Sequence, residues 1–264
     1  MKKKIKNQLK KNKVSIIIYL ALRILVIISL IVQLSLKNWN NVFLCILTLV
    51  LFTIPTFFDK KLDIELPHTL EIIVYLFIYS AAMLGEIQNF YNLFPYWDAI
   101  LHTLNGFVAA AVGFSLIDIL NHNENFHINM TPAFASLVAF TFSMTIGVAW
   151  EFFEFAADRY LEKDMQKDTI VQKVSSVKLN PSGENKPIVI YNINKTVIYT
   201  NDNQEYIIDN GYLELGVQDT MKDLFVNFIG ATIFSIFGYL YVVNRDEYGF
   251  VAKFIMKKKK KKVA

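Results

Sequence analysis

Long apolar runs broken by short polar stretches dominate the chain. Six of them approach or exceed the roughly 20 apolar residues that cross a bilayer: 14–36, 41–58, 69–89, 98–120, 132–158 and 217–243. The first, VSIIIYLALRILVIISLIVQLSL, follows a basic start as a signal peptide would. Its apolar run is longer than a signal segment needs and no small-residue cleavage site follows, so it reads as a retained span. Pro55, near the end of the second run, marks a kink or a stop. Between the fifth and sixth runs the pattern changes. Segment 159–216 is polar, and within it IVIYNINKTVIYT (188–200) and QEYIIDNGYLEL (204–215) alternate β-branched and aromatic residues around a TNDN turn. That is a hairpin signature. SSVKLNPSGENKP (175–187) reads as loop. The expected fold is an all-α integral membrane protein of about six transmembrane helices, with a small extramembrane β-hairpin insertion between helices five and six. Its organisation reads as a basic tail (1–13), helices one to five (14–158), an insertion (159–216), helix six (217–243) and a second basic tail (244–264).

Composition agrees with the pattern. The chain is 54% hydrophobic and only 19% charged, with a mean hydropathy of +0.34. An ordinary soluble domain carries about 25% charged residues. A single cysteine, Cys45, excludes an intramolecular disulfide and a cysteine-ligated zinc site. Lysines crowd both ends, as MKKKIKNQLKKNK and as the run at 257–262. Beside apolar spans such clusters serve as anchors for anionic lipid headgroups, not as a nucleic-acid patch. The expected partners are therefore the lipid bilayer and anionic lipids, with no nucleic acid. Lys60, Lys61, Arg245 and Lys253 fall on the same side as the two basic tails. The positive-inside rule then puts both termini in the cytoplasm and the insertion outside. The Lys-, Ile- and Asn-rich composition suits an AT-rich bacterium, and hence a bacterial cytoplasmic membrane.

Against this apolar background the polar residues stand out. Residues 132–150 contain no charge, and then WEFFEFAAD supplies Glu151, Glu154 and Asp158. Helix three ends in Gly85 and Glu86. Helix four opens with Asp98, His102, Asn105 and Gly106, and helix six with Asp219, Thr220, Asp223 and Asn227. With six spans, all four sets belong to one leaflet. The spacings i, i+4 (Asp98, His102), i, i+3, i+7 (Glu151, Glu154, Asp158) and i, i+4, i+8 (Asp219, Asp223, Asn227) put each set on one helix face. At 1.5 Å per residue, His102, Glu154 and Asp223 lie roughly 6 Å from their helix ends, and Glu151 and Asn227 roughly 10–12 Å.

A carboxylate at a span centre costs roughly 2.5–3.5 kcal/mol on insertion scales. Packed acids also repel, and need protons, a metal ion or basic partners; the basic residues nearby are His102, Lys222 and Arg159. The stripes suit a divalent cation on Asp98, His102, Glu151, Glu154 and Asp223. They also suit acid–base work by Glu151, Glu154 and His102, with Asp219, Thr220 and Asn227 as substrate contacts. An ion- or proton-coupled transporter and a purely structural polar cluster are the alternatives. The lopsided distribution of acids and the lack of an inverted repeat weigh against transport. Elsewhere, Arg23 reads as a snorkelling side chain and His122 and His127 as a solvated loop. Tyr96 and Trp97 read as interfacial aromatics. There is no phosphate-loop, dinucleotide or nucleophile-elbow motif.

The motifs WDAILHTLNGF, AWEFFEFAAD and GVQDTMKDLFVNFIGA, in this order on successive helices, resemble the YjdF-like family of uncharacterised bacterial multi-pass membrane proteins. The family pattern maps onto Asp98, His102 and Gly106; onto Glu151 and Glu154; and onto Asp219, Thr220, Asp223, Gly230 and Ala231. A looser similarity is to VanZ-like proteins, which are associated with lowered sensitivity to glycopeptide antibiotics. The resemblance spans roughly 70–240. It implies a membrane-embedded polar site with a link to the cell envelope, and it names no reaction. Segment 159–216 looks longer and more strand-like than a simple family connection.

Overall fold

A computed structural model describes residues 2–61, 64–121 and 130–258. The helices are α1 (Lys2–Ser35), α2 (Trp39–Leu51), α3 (Ile54–Lys61), α4 (His68–Tyr79), the short α5 (Phe90–Leu93), α6 (Trp97–Asn121), α7 (Pro132–Leu161) and α8 (Val217–Val243). The strands are β1 (Ile64–Glu65), β2 (Thr169–Val171), β3 (Val174–Ser176), β4 (Ile188–Ile190), β5 (Lys195–Tyr199), β6 (Glu205–Asp209), β7 (Tyr212–Glu214) and β8 (Lys257–Lys258). Among the described residues six helical stretches are long and apolar enough to cross a membrane: Lys13–Ser35, Trp39–Phe57, His68–Ile87, Trp97–Asn121, Pro132–Leu161 and Val217–Val243. The six-span expectation holds. His122 and His127 lie outside the described residues.

Two spans depart from regular α-helix. The second breaks between Leu51 and Ile54, where Thr53 turns back to the Val50 carbonyl. Pro55 then occupies the first turn of α3, where its missing N–H costs nothing. The third continues from α4 into a π-helical stretch, Ser80–Ile87. Gly85 lies there against the Tyr91 ring; a Cβ would come within 2.4 Å of it.

The chain divides into two compact units, residues 1–147 with 224–264, and residues 148–223. In the first, the core of α6, α7 and α8 is built on small residues. Ala110, Ala111, Ala135, Ala139 and Ala231 pack with Phe114 and Phe234. A second core joins Leu22 and Val26 of α1, Cys45 of α2, Phe52, and Tyr75 and Ile78 of α4. The segment after α8, read from the sequence as part of a basic tail, folds back into the helices. Val251 and Ile255 join the alanine core and Phe254 stacks edge-on to Phe107 at 5.2 Å. The buried Met256 amide donates to Ser115 Oγ at 2.8 Å. Strand β8 then pairs antiparallel with β1, Lys257 opposite Glu65. Arg23 lies over the Tyr19 ring and bonds its hydroxyl, one turn toward the basic N-terminus.

The second unit holds the end of α7, the insertion and the start of α8. The expected hairpin is present as β5–β6, with Lys195 opposite Asp209 and Tyr199 opposite Glu205. The insertion is richer than one hairpin. Strand β2 pairs with β7, closing its root, and β3 pairs with β4. The stretch 175–187, read as loop, therefore begins with the last two residues of β3.

Candidate functional site

Four ionisable side chains of the polar stripes are buried: His102 (8% exposed), Glu151 (4%), Glu154 (7%) and Asp223 (1%). The cations nearest them in sequence, Arg159 and Lys222, are exposed. Burial makes these acids chemically interesting, because in an apolar span the charged form of a carboxylate is disfavoured unless a proton, an ion or a basic partner compensates it.

In the first unit, the four-residue spacing on α6 brings His102 Nε2 to 3.4 Å from Asp98 Oδ1. A carboxylate on one ring nitrogen orients the ring and makes the other a better ligand or base. One turn further along, the contacts turn structural. Asn227 of α8 is fully buried, and its Oδ1 accepts from Asn105 Nδ2 at 3.1 Å. Its Nδ2 points at the Met144 sulfur. Gly147 leaves room for that amide, since a Cβ would meet it at 2.7 Å. Ser143 Oγ donates to the Gly106 carbonyl at 2.7 Å. Gly106 and Gly230 let α6 and α8 touch backbone to backbone: a Cβ on either would meet the carbonyl of Asn227 or Thr103 at 2.1 or 1.9 Å.

In the second unit, Glu151 and Glu154 share a face of α7, and the Trp150 indole N–H donates to Glu154 Oε1 at 2.8 Å. After Leu161 the chain reverses at Glu162, which takes a left-handed φ of 52°. The reversal carries two backbone amides back over the helix end. Met165 N and Gln166 N donate to the two Asp158 oxygens at 2.6 and 2.8 Å. The next residue, Lys167, donates its amide to Asp219 Oδ2 at 2.8 Å, and Gln166 Nε2 donates to Thr220 Oγ1 at 2.5 Å. Glu214 accepts from Val217 N and Gln218 N, satisfying two of the amides that open a helix N-terminus. Partial desolvation at the insertion root, then the carboxylates of Asp164, Asp158 and Glu214, push the pKa of Asp168 up, and Lys167 opposes them.

The residues singled out in the sequence thus fall into three kinds. Glu151, Glu154 and Asp223 are each buried and belong to the second unit, and Asp98 and His102 pair in the first. Asp219 and Thr220, expected to contact substrate, hold the insertion root. Asn227, grouped with them, pins α6 to α8. Trp150, Asp158 and Gln166 were not given these roles by the sequence. Nor was a separate polar chain in the first unit, where His68 meets Ser15 at 3.5 Å and Glu71 at 3.6 Å, and Glu71 accepts from Tyr75.

The sequence matches the family described as predicted membrane protein, DUF2238, over residues 14–244. The chain belongs to that family. The YjdF-like resemblance is consistent with DUF2238 membership, and a VanZ-like relationship is not shown. An uncharacterised protein of Thermotoga maritima is 29% identical over 107 residues, which cover 40% of this chain and 53% of that protein. The match thus spans about half of that relative's length. No solved structure matches. Asp98, His102, Glu151, Glu154, Asp158, Asp219, Asp223 and Asn227 all lie within the DUF2238 region.

Proposed function

We propose that this DUF2238 protein is a membrane-embedded enzyme or enzyme-like protein of the bacterial cytoplasmic membrane. Its candidate ligands and acid–base groups, near the outer leaflet, are Asp98 and His102 of the first unit and Glu151, Glu154 and Asp223 of the second. The observation that carries the reading is the burial of three carboxylates and one histidine within otherwise apolar spans. Within the second unit the buried Glu151 and Glu154, three residues apart on one face of α7, have the ligand type and burial to hold a cation. Oxygen ligands with one imidazole suit a divalent ion of intermediate hardness. Such an ion would polarise an oxygen of the substrate or activate a water, with Glu151, Glu154 and His102 positioned for proton transfer. The substrate class is an envelope or lipid-linked molecule, in keeping with the depth of the residues. Both termini lie in the cytoplasm and their lysines meet anionic lipid headgroups.

A second reading draws on a specific observation: Asn227, Asn105 and the two glycines bind helices together, and the acids would extend that structural role. Titration of Mn²⁺ and Zn²⁺ into purified protein separates the two. Saturable binding that disappears in E151Q, E154Q and D223N, with melting temperatures unchanged, supports the metal site. Unfolding of the same variants, with no ion bound by the wild type, overturns it. Ion or proton flux into liposomes under a gradient would instead favour a transporter.

A further inference from the structure

We propose that a groove between α7 and α8, lined by none of the acids discussed above, binds an uncharged lipid through carbonyl oxygens in its head. The groove has a volume of about 290 Å³, and every residue that lines it belongs to the first unit. Three hydroxyl side chains line it: Ser136 of α7, and Thr232 and Ser235 of α8. Ser136 and Ser235 are only 8% and 9% exposed. The oxygens of all three are buried and have no hydrogen-bond partner among the described residues. Other hydroxyls within the spans differ. Thr48, Thr103, Ser115 and Thr145 each donate to the carbonyl four residues back, at 2.6 to 2.9 Å, the usual local bond of a helical Ser or Thr. Ser143 of α7 donates across to the Gly106 carbonyl. A buried hydroxyl left without a partner is costly, and the bilayer core has no water to supply one. Three such groups along one groove mark a place where a ligand brings the acceptors.

The lining sets the ligand's chemistry. Hydroxyls with a proton to donate call for acceptor oxygens. No charged residue lines the groove. At 1.5 Å per residue, Ser136 lies roughly 6 Å from the start of α7, and Ser235 and Thr232 lie roughly 12–17 Å from the end of α8. An ionised head at that depth would be unpaired and costly, so the head is neutral. Leu137, Ile236 and Tyr239 also line the groove and are exposed, which gives the lipid's chain an apolar surface. Large side chains there disfavour a second helix, because helix backbones approach closely over small residues. Two kinds of neutral lipid carry such carbonyls: a diacylglycerol through its esters, and an isoprenoid quinone through its ring.

The test compares full-length wild type with S136A/T232V/S235A in detergent micelles, using dioleoylglycerol, a short-chain menaquinone and hexadecane as probes. Dioleoylglycerol or the menaquinone should bind the wild type saturably and raise its melting temperature, and the one that does so identifies the source of the carbonyls. Hexadecane, which has no oxygen, should do neither. The triple variant should bind the same lipid about tenfold more weakly or worse, as expected for the loss of two or three ordinary hydrogen bonds. Folding gives a separate readout. Without a probe the variant should melt at or above the wild-type temperature, because it removes hydroxyls that have no partner. A variant that melts lower would mean that the hydroxyls bond within the protein, and overturns the proposal. So does hexadecane binding as well as the oxygenated lipids, a wild type that binds neither of those lipids, or a wild-type dimer that the variant abolishes.

Discussion

Replacing Gly230 with alanine tests the close junction of α6 and α8. The added Cβ would lie 1.9 Å from the Thr103 carbonyl oxygen and 2.9 Å from the Phe107 amide nitrogen. Both are backbone atoms of α6, so no side chain can swing aside. Relief to about 3 Å requires the helices to part by roughly 1 Å at this point, since packed cores resist even a single methylene. Overpacking of this kind costs about 1–3 kcal/mol, occasionally more. Parting the helices also lengthens the Asn105–Asn227 bond from 3.1 Å, and an interhelical bond of this type is worth about 0.6–2 kcal/mol. Together about 2–5 kcal/mol is expected. At about 2–4 °C per kcal/mol for a chain of this size class, the melting temperature in detergent should fall by roughly 5–15 °C. G249A is the matched control, because nothing lies within 4 Å of a Cβ there and its φ is ordinary. A G230A protein that melts with G249A would refute the close α6–α8 crossing.

The remaining predictions concern the insertion root and the C-terminal segment. D158N keeps one acceptor for the two amides of Met165 and Gln166 and should weaken the root by about 1–2 kcal/mol, read as faster tryptic cleavage at Lys163 and Lys167. S115A strands the buried Met256 amide, at about 1–3 kcal/mol, and should speed cleavage at Lys253 and Lys257 with no change in the insertion. Asp168 supplies a pH dependence. Its folded pKa is raised above the ordinary 3.8, so the folded root binds the proton more tightly than the unfolded chain does. The root is then most stable below that ordinary value and loses stability as pH rises through the folded pKa. Amide exchange across 164–171 should show this slope in the wild type and a flatter one in D168N.

The six spans were legible because each apolar run approaches or exceeds the bilayer's length and has no other comfortable environment. The polar stripes were legible for the converse reason, since acids within such runs are costly. What the sequence concealed depends on partners distant in the chain. Asp219 looks like a substrate contact until the Lys167 amide, on the far side of the insertion, reaches it. Asp158 reads as one more acid of the Glu151–Glu154 stripe until the left-handed Glu162 turns two amides back over it. The stretch GFVAKFIM is too short to span and is flanked by charge, so nothing local marks it as core. Val251 and Ile255 are buried in the alanine core, and the buried Met256 amide bonds Ser115. The π-helical turn of the third span likewise has no sequence signal beyond Gly85.

The central proposal is that the buried acids Glu151, Glu154 and Asp223 hold a divalent cation. Elemental analysis of protein extracted from membranes without chelator tests it most directly. About one equivalent of a single divalent metal in the wild type, lost in folded E151Q, E154Q and D223N, is the predicted result. A wild type that carries no metal, and takes up none from Mn²⁺ or Zn²⁺ in excess, would contradict it.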